Sequence, residues 1–152
     1  MRNEVFAEHP VVILMAEDNP TDVLIAREGL ASAKMPNTLH VVDDGIETMA
    51  FLRRQGKHAD APRPDLILLD LNMPRKNGHE VLAEIKADDG LKSIPVIIFT
   101  TSESRDDVEK AYRLHANCYI SKPVDFDEFT EVVQTIQDFW ISVVTLPREA
   151  KA

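Results

Sequence analysis

Leu66-Ile67-Leu68-Leu69-Asp70-Leu71-Asn72-Met73-Pro74 is the stretch on which the fold turns. Aliphatic residues run unbroken into a carboxylate, without the apolar–polar alternation of a half-covered strand, which is the pattern of a short strand buried on both faces. Working outward, Val11–Ala16 (VVILMA), Val96–Phe99 (VIIF) and Cys118–Ile120 (CYI) repeat that pattern. Leu39–Val42 (LHVV) is a weaker fifth run, because His40 interrupts it.

Helical patterns fill the intervals. Asn19 before Pro20 reads as an N-cap with proline in the first helical position, and Asp22 adds a first-turn carboxylate that favours the helix dipole. Val23, Ala26 and Leu30 then recur at helical spacing. Gly45 to Gln55, Glu80 to Ala87 and Arg105 to Leu114 carry similar patterns, with Gly56, Gly90 and Ala61-Pro62-Arg63-Pro64 as breaks. A last helix from about Asp125 presents Phe129, Val133, Ile136, Trp140 and Val143, a stripe longer than a sheet of this size needs. Five alternations of strand and helix imply a doubly wound α/β fold: a five-stranded parallel sheet with right-handed crossovers and helices on both faces.

Size and charge narrow the functions. The 152 residues argue for one domain at about 100 to 200 residues each, and 44% apolar residues suffice for one core without disulfides. The boundaries read as an N-terminal segment 1–9, a folded domain 10–146 that includes the extended last helix, and a polar tail 147–152. Seventeen basic against 26 acidic residues give a net charge of -9, which repels a phosphate backbone and argues against nucleic-acid binding. The longest apolar run falls far short of the roughly 20 residues that cross a bilayer, so no membrane segment is expected. A single cysteine, Cys118, and an N-terminus without a signal-peptide pattern point to the cytoplasm.

In open α/β sheets ligands sit beyond the carboxyl ends of the strands. The residues there are Glu17 and Asp18 after the first run, Asp70, the hydroxyl cluster Thr100-Thr101-Ser102, and Ser121-Lys122-Pro123. With strand order 2-1-3-4-5, the first and third strands are neighbours, and Glu17, Asp18 and Asp70 share one cleft. Two like charges about 4 Å apart repel by about 4 kcal/mol at an effective dielectric of 20, so three ionised carboxylates need a cation. Mg²⁺ suits an oxygen-only donor set, and no His or Cys clusters there to favour zinc. One carboxylate can then attack a phosphoryl group while Lys122 and a strand-end hydroxyl stabilise its oxygens, which amounts to phosphoryl transfer onto an aspartate.

From about Val11 to Phe139 the chain resembles a two-component response-regulator receiver domain, a flavodoxin-like fold. The resemblance rests on Glu17-Asp18, Leu68-Leu69-Asp70-Leu71-Asn72-Met73-Pro74 with Asn77-Gly78, Ile98-Phe99-Thr100-Thr101-Ser102, and Tyr119-Ile120-Ser121-Lys122-Pro123. It implies Asp70 as phospho-acceptor, and a Mg²⁺ site made by Glu17, Asp18, Asp70 and the backbone carbonyl of Asn72. Thr100 would bind a phosphoryl oxygen, Lys122 would pair with the phosphate, and Thr100 and Tyr119 would form the switch. Pro123 would follow a cis peptide bond. Such a protein is a signalling switch and not an enzyme with a metabolite substrate, since it catalyses only its own phosphorylation and hydrolysis.

A narrower resemblance, to the single-domain response regulators of phytochrome histidine kinases, rests on Asp18-Asn19-Pro20, Ala61-Pro62-Arg63-Pro64-Asp65, Asn117-Cys118-Tyr119, Asp138-Phe139-Trp140 and Thr145-Leu146-Pro147. It implies a phytochrome kinase as partner and a homodimer through the fourth helix, fifth strand and last helix, with Phe139, Trp140 and Val143 on the dimer face. Two positions depart from the family's habit. His115 stands where glycine commonly ends the fourth helix, making a left-handed cap less comfortable, and Asn77 replaces an aspartate, with positive φ tolerated equally well.

Each residue also has a plainer reading. Asp70 alone is a turn carboxylate, Glu17-Asp18 a solvated pair at a helix start, Lys122 a surface lysine, Thr100 a β-branched strand end, Tyr119 a core aromatic and Cys118 a small buried hydrophobe. Other functions remain open beside the switch. An aspartyl-phosphate phosphatase would want a second acid where Asn72 stands, a nucleotide-binding module would want a G-x-G-x-x-G that no strand precedes, and a docking module would not use the pocket's chemistry.

Overall fold

A computed structural model describes residues 10–32, 36–141 and 144–147. The segment 1–9, the tail after Pro147 and Val143 lie outside the described residues. Five strands, β1 (Val11–Ala16), β2 (Asn37–Val42), β3 (Leu66–Leu69), β4 (Val96–Thr100) and β5 (Cys118–Ser121), form one sheet of order β2-β1-β3-β4-β5. All four pairings are parallel. The helices are α1 (Pro20–Ala31), α2 (Gly45–Arg53), α3 (Gly78–Ala87), α4 (Arg105–Arg113) and α5 (Phe126–Ile136), the last continued by a π-helical turn, Gln137–Ile141.

Side-chain alternation divides the core between the two faces of the sheet. Leu14, Ala16, Ile67, Leu69 and Ile98 face α2, α3 and α4 through Met49, Leu52, Val81, Leu82, Ile85 and Ala111. Ile13, Met15, Leu66, Leu68, Ile97 and Phe99 face α1 and α5 through Ile25, Ala26, Leu30, Phe129, Val133 and Ile136. Full burial of one such aliphatic side chain is worth about 1.5–3 kcal/mol, so the doubly covered strands anchor the fold. The expectation of burial on both faces holds for β1, β3 and β4 but not for β5, all of whose residues are half-buried. β5 is an edge strand with a neighbour on one side only, which its three apolar residues do not reveal.

Helix starts follow their capping residues. Asn19 Oδ1 accepts from the N–H groups of Thr21 (2.9 Å) and Asp22 (3.3 Å), and Asp125 accepts from the Glu128 N–H at 3.0 Å. Asn77 closes a capping box: its Oδ1 accepts from the Glu80 N–H at 3.0 Å, and the Glu80 carboxylate accepts in return from the Asn77 N–H at 3.0 Å. Its φ is -79°, so Asn77 serves as a helix cap and not as a left-handed turn residue; the positive φ in that loop belongs to Arg75, at 68°. His115 takes the left-handed conformation with φ 71° despite lacking glycine's freedom. Its N–H donates to Tyr112 O and the Ala116 N–H to Ala111 O, both at 3.0 Å, which completes the 5→2 and 6→1 pattern of a Schellman motif.

The loop from Leu71 to Asn77 is pressed between its neighbours. A Cβ on Gly78 would stand 2.3 Å from Asp70 O, and one on Gly45 2.1 Å from Lys76 O, so only glycine permits either approach. Arg75 holds the loop to the start of α2, donating to Asp44 Oδ2 from Nε at 2.8 Å and from its terminal nitrogen at 2.7 Å. Burial works against the Asp44 charge, but the Glu47 N–H and the Arg75 guanidinium outweigh it and hold that carboxyl below the usual range. No helix among the described residues is long and apolar enough to cross a membrane.

Candidate active site

The pairing of Ala16 with Leu69 sets the ends of β1 and β3 side by side, and the pairing of Thr100 with Ser121 does the same for β4 and β5. Polar residues that leave these ends therefore converge. Glu17, Asp18 and Asp70 each offer an oxygen within 4.8 Å of the others, as the strand order implies. Glu17 and Asp70 are buried and Asp18 is exposed, so the cluster is a cleft with one open side. The Asn72 N–H donates to Asp70 Oδ1 at 3.2 Å, which keeps the Asn72 backbone beside the cluster.

Lys122 reaches in from the end of β5. Its N–H donates to Thr100 O at 2.6 Å, and its ammonium, 2% exposed, donates to Glu17, to Asp22 Oδ2 at 2.9 Å and to Asp70 Oδ2 at 3.1 Å. The Phe99 ring centroid lies 5.8 Å from Nζ and closes the apolar side. Burial pushes the Glu17 carboxyl up to about 7; the Asp70 charge adds to the rise, and Lys122 opposes it. Burial would lower the Lys122 ammonium, but its bonds to Glu17 and Asp22 and the charge of Asp70 outweigh burial and hold it above the ordinary lysine range. Lys122 thus stays charged while Glu17 titrates near neutrality.

Thr100 is fully buried, and its Oγ1 has no hydrogen-bond partner. A buried hydroxyl without a partner costs about 1–3 kcal/mol, a cost relieved by a ligand oxygen arriving beside it. This orphaned donor, three carboxylates with no soft ligand and a Glu17 carboxyl driven toward protonation by burial and by the Asp70 charge together fit a hard divalent cation and an oxyanion. Glu17, Asp18 and Asp70 could hold the cation with the backbone carbonyl of Asn72.

Tyr119, on the neighbouring strand β5, pairs with Ile98, two residues before Thr100. Its OH donates to Ser102 O at 2.9 Å, Ser102 Oγ donates to Asp107 Oδ2 at 2.6 Å, and Asp107 Oδ1 pairs with His79 Nε2 at 3.1 Å. The loop after β4 is thereby linked both to β5 and to α3. The Lys122–Pro123 peptide is trans, against expectation, and no cis bond occurs among the described residues. An X–Pro bond favours trans by about 0.5–1 kcal/mol unless surrounding contacts overrule it, and the motif alone does not supply those contacts.

On the expected dimer face, Phe139, 52% exposed, and Trp140, half-buried, both line a groove of ≈ 370 Å³ with Cys118, Ile120 and Ile136. Burial pushes the Cys118 thiol up, consistent with a small apolar residue and not a reactive thiolate. Two partnerships escaped the sequence. Asp22 was legible only as a first-turn carboxylate, although its place four residues after Asp18, on the first turn facing the cleft, was the available signal. Nothing local joins Ser102, Asp107 and His79, which come from two different strand–helix connections.

A five-stranded sheet of this order, with an acidic cleft faced by a strand-end lysine and hydroxyl, defines a receiver. The chain belongs to the response regulator receiver domain family, whose model matches residues 13–134. Response regulator Rcp1 of Synechocystis sp. is 47% identical over 138 residues, covering 91% of this chain and 94% of its own. The Mn²⁺-bound crystal structure of Rcp1 superposes with a TM-score of 0.89, covering 91% of this chain and 100% of that one. The phosphorylated cyanobacterial phytochrome response regulator RcpA gives the same TM-score at 47% identity, over 91% of this chain and 99% of that one.

Proposed function

We propose that this chain is a single-domain signalling switch that accepts a phosphoryl group on Asp70 in a Mg²⁺-dependent reaction. The observation that carries the reading is the convergence of Lys122 Nζ on Asp70 Oδ2 at 3.1 Å, beside the unpartnered Thr100 hydroxyl and the Glu17–Asp18–Asp70 cluster. A divalent cation bound by Glu17, Asp18, Asp70 and the Asn72 carbonyl would neutralise the carboxylates and polarise the incoming phosphoryl oxygens. Asp70 supplies the attacking oxygen; its bond to phosphorus forms as the bond to the donor's imidazole nitrogen breaks, and the departing imidazole takes up a proton. Lys122 donates to one phosphoryl oxygen and the Thr100 hydroxyl to another.

The new phosphoryl group carries about -1.5 to -2 charges. Drawing the Thr100 hydroxyl toward it acts on the loop that Tyr119 holds through Ser102, and this movement is the switch. Asn72 leaves the position of a second acid empty, which supports a phosphorylated switch over a phosphatase that turns over metabolites. Similarity to Rcp1 and RcpA favours a phytochrome-type histidine kinase as phosphoryl donor, in the cytoplasm, with the chain acting alone or as one step of a phosphorelay. The net charge of -9 argues for a protein partner and against nucleic acid. Exposed Tyr112 on α4 and Phe139 beyond α5, flanking the half-buried edge strand β5, support a second copy of the chain as occupant of that face.

Intact-mass measurement after incubation with Mg²⁺ and a small acyl phosphate tests the chemistry. One added phosphoryl group is expected, absent without metal and absent in Asp70→Asn. Labelling that persists in Asp70→Asn would refute the assignment of the acceptor.

A further inference from the structure

Lys122 is held by three carboxylates, and they are not equivalent. Glu17 and Asp70 belong to the cluster whose oxygens lie within 4.8 Å of one another, whereas Asp22 does not. Asp22 sits on the first turn of α1, fixed there by the Asn19 cap, and its Oδ2 lies 2.9 Å from Lys122 Nζ. The ammonium has three hydrogens and three carboxylate acceptors, so its donors are matched one to one. Its side chain is 2% exposed, with the Phe99 ring on its apolar side, so water cannot take over a bond that is given up.

A divalent cation entering the cluster competes for the same oxygens on Glu17 and Asp70, and its charge repels the ammonium. Lys122 must then release those bonds while remaining buried. A buried charge left without a partner carries a large desolvation penalty. Asp22 is the carboxylate that can still pair with it.

We propose that Asp22 is a positioning residue that retains the Lys122 ammonium when a divalent cation claims Glu17 and Asp70, and so sets the metal affinity of the site without touching the metal. The proposal rests on the reading of Glu17, Asp18 and Asp70 as a metal site. Without Asp22 the ammonium has only the metal's own ligands to bind, and the cation must displace it outright. Partners that support a metal site from outside typically change its affinity 10- to 100-fold when removed, and an effect of about tenfold is expected here.

Mg²⁺ binding to the whole chain, measured calorimetrically, tests this with Asp22→Ala and Asp22→Asn in the wild-type and Lys122→Gln backgrounds, and with Asp18→Asn alone. Both Asp22 variants should bind Mg²⁺ about tenfold more weakly than wild type while keeping a cooperative thermal transition. In the Lys122→Gln background, with no ammonium to relocate, Asp22→Ala should change the affinity little. Unchanged affinity in both Asp22 variants overturns the inference, as does an equal loss in both backgrounds, which would make Asp22 merely a nearby negative charge. Binding that requires Asp18 but ignores Asp22 overturns this inference alone; a wild-type chain that binds no Mg²⁺, or binding that survives Asp18→Asn, overturns the metal-site reading together with it.

Discussion

Gly78→Ala probes how firmly the acceptor strand is fixed. The added Cβ would stand 2.3 Å from Asp70 O, 2.6 Å from Leu71 Cα and 3.0 Å from Asp70 C. Comfortable contacts of this kind need about 3.5 Å, so roughly 1 Å of main-chain movement is required. Neither side yields easily. The start of α3 is held by the Asn77–Glu80 capping box and by the Gly78 N–H bond to Leu71 O at 3.0 Å, and Asp70 is held by its N–H bond to Ala16 O at 3.1 Å. Overpacking costs about 1–3 kcal/mol, and main-chain contacts place this case at the upper end. Alanine recovers at most about 0.5–1 kcal/mol of that through helix preference, which leaves a net loss of about 2 kcal/mol. Urea unfolding should show a lower midpoint with an unchanged m-value, and Mg²⁺ affinity should fall because the displaced residue is Asp70 itself. Gly90→Ala is the control: its Cβ meets only the movable Asp88 Oδ1, at 3.3 Å, and its effect should stay within about 0.5 kcal/mol. Wild-type stability and Mg²⁺ affinity in Gly78→Ala would refute the argument that this close approach positions Asp70.

His115→Gly should stabilise the chain by about 0.5–1 kcal/mol, since a left-handed non-glycine residue costs about 1–2 kcal/mol and glycine's greater freedom when unfolded returns part of it. Urea unfolding decides this, and a lower midpoint would show that the imidazole contributes more than its strained backbone costs. The Glu17 carboxyl, pushed up to about 7 from an ordinary 4.5, makes a prediction about pH. The folded state binds the extra proton between those values, so without metal the Glu17 contribution to stability should decline as pH rises from about 4.5 to 7. Mg²⁺ needs the ionised form, so its affinity should climb up to about pH 7 and level off above it. Comparison with Glu17→Gln isolates both effects, and a flat wild-type affinity profile from pH 5.5 to 8 would contradict this assignment.

Strand identity was legible because burial on both faces leaves continuous aliphatic runs, as in Leu66–Leu69, and site identity because the polar residues that end those runs must meet at one edge. The Asn19-Pro20 cap was legible for the same local reason, since it carries its function in its own side chain, whereas Asp125 was legible only as the approximate start of the last helix. What was hidden depends on partners distant in sequence. Asp22 and Lys122 are 100 residues apart, and the Arg75–Asp44 clamp spans 31, so neither pair leaves a local pattern. His115 misled in the other direction. The hydrogen bonds to Tyr112 and Ala111 fix the helix end, and the backbone accepts an unfavourable residue there because the motif as a whole is satisfied.

The π-helical turn after α5 alters the angular phase of the helix. An α-helix advances about 100° per residue, so the series Phe129, Val133, Ile136, Trp140 keeps one bearing only while the winding is regular. The wider turn from Gln137 to Ile141 takes up one extra residue, and the inward bearing passes from Trp140 to Ile141, which is 3% exposed in the same core as Leu146. The extra residue works as a rotary offset. It turns Ile141 into the chain's own interior and leaves Phe139 exposed, so which side chain of this turn stays at the surface is set by winding number rather than by composition.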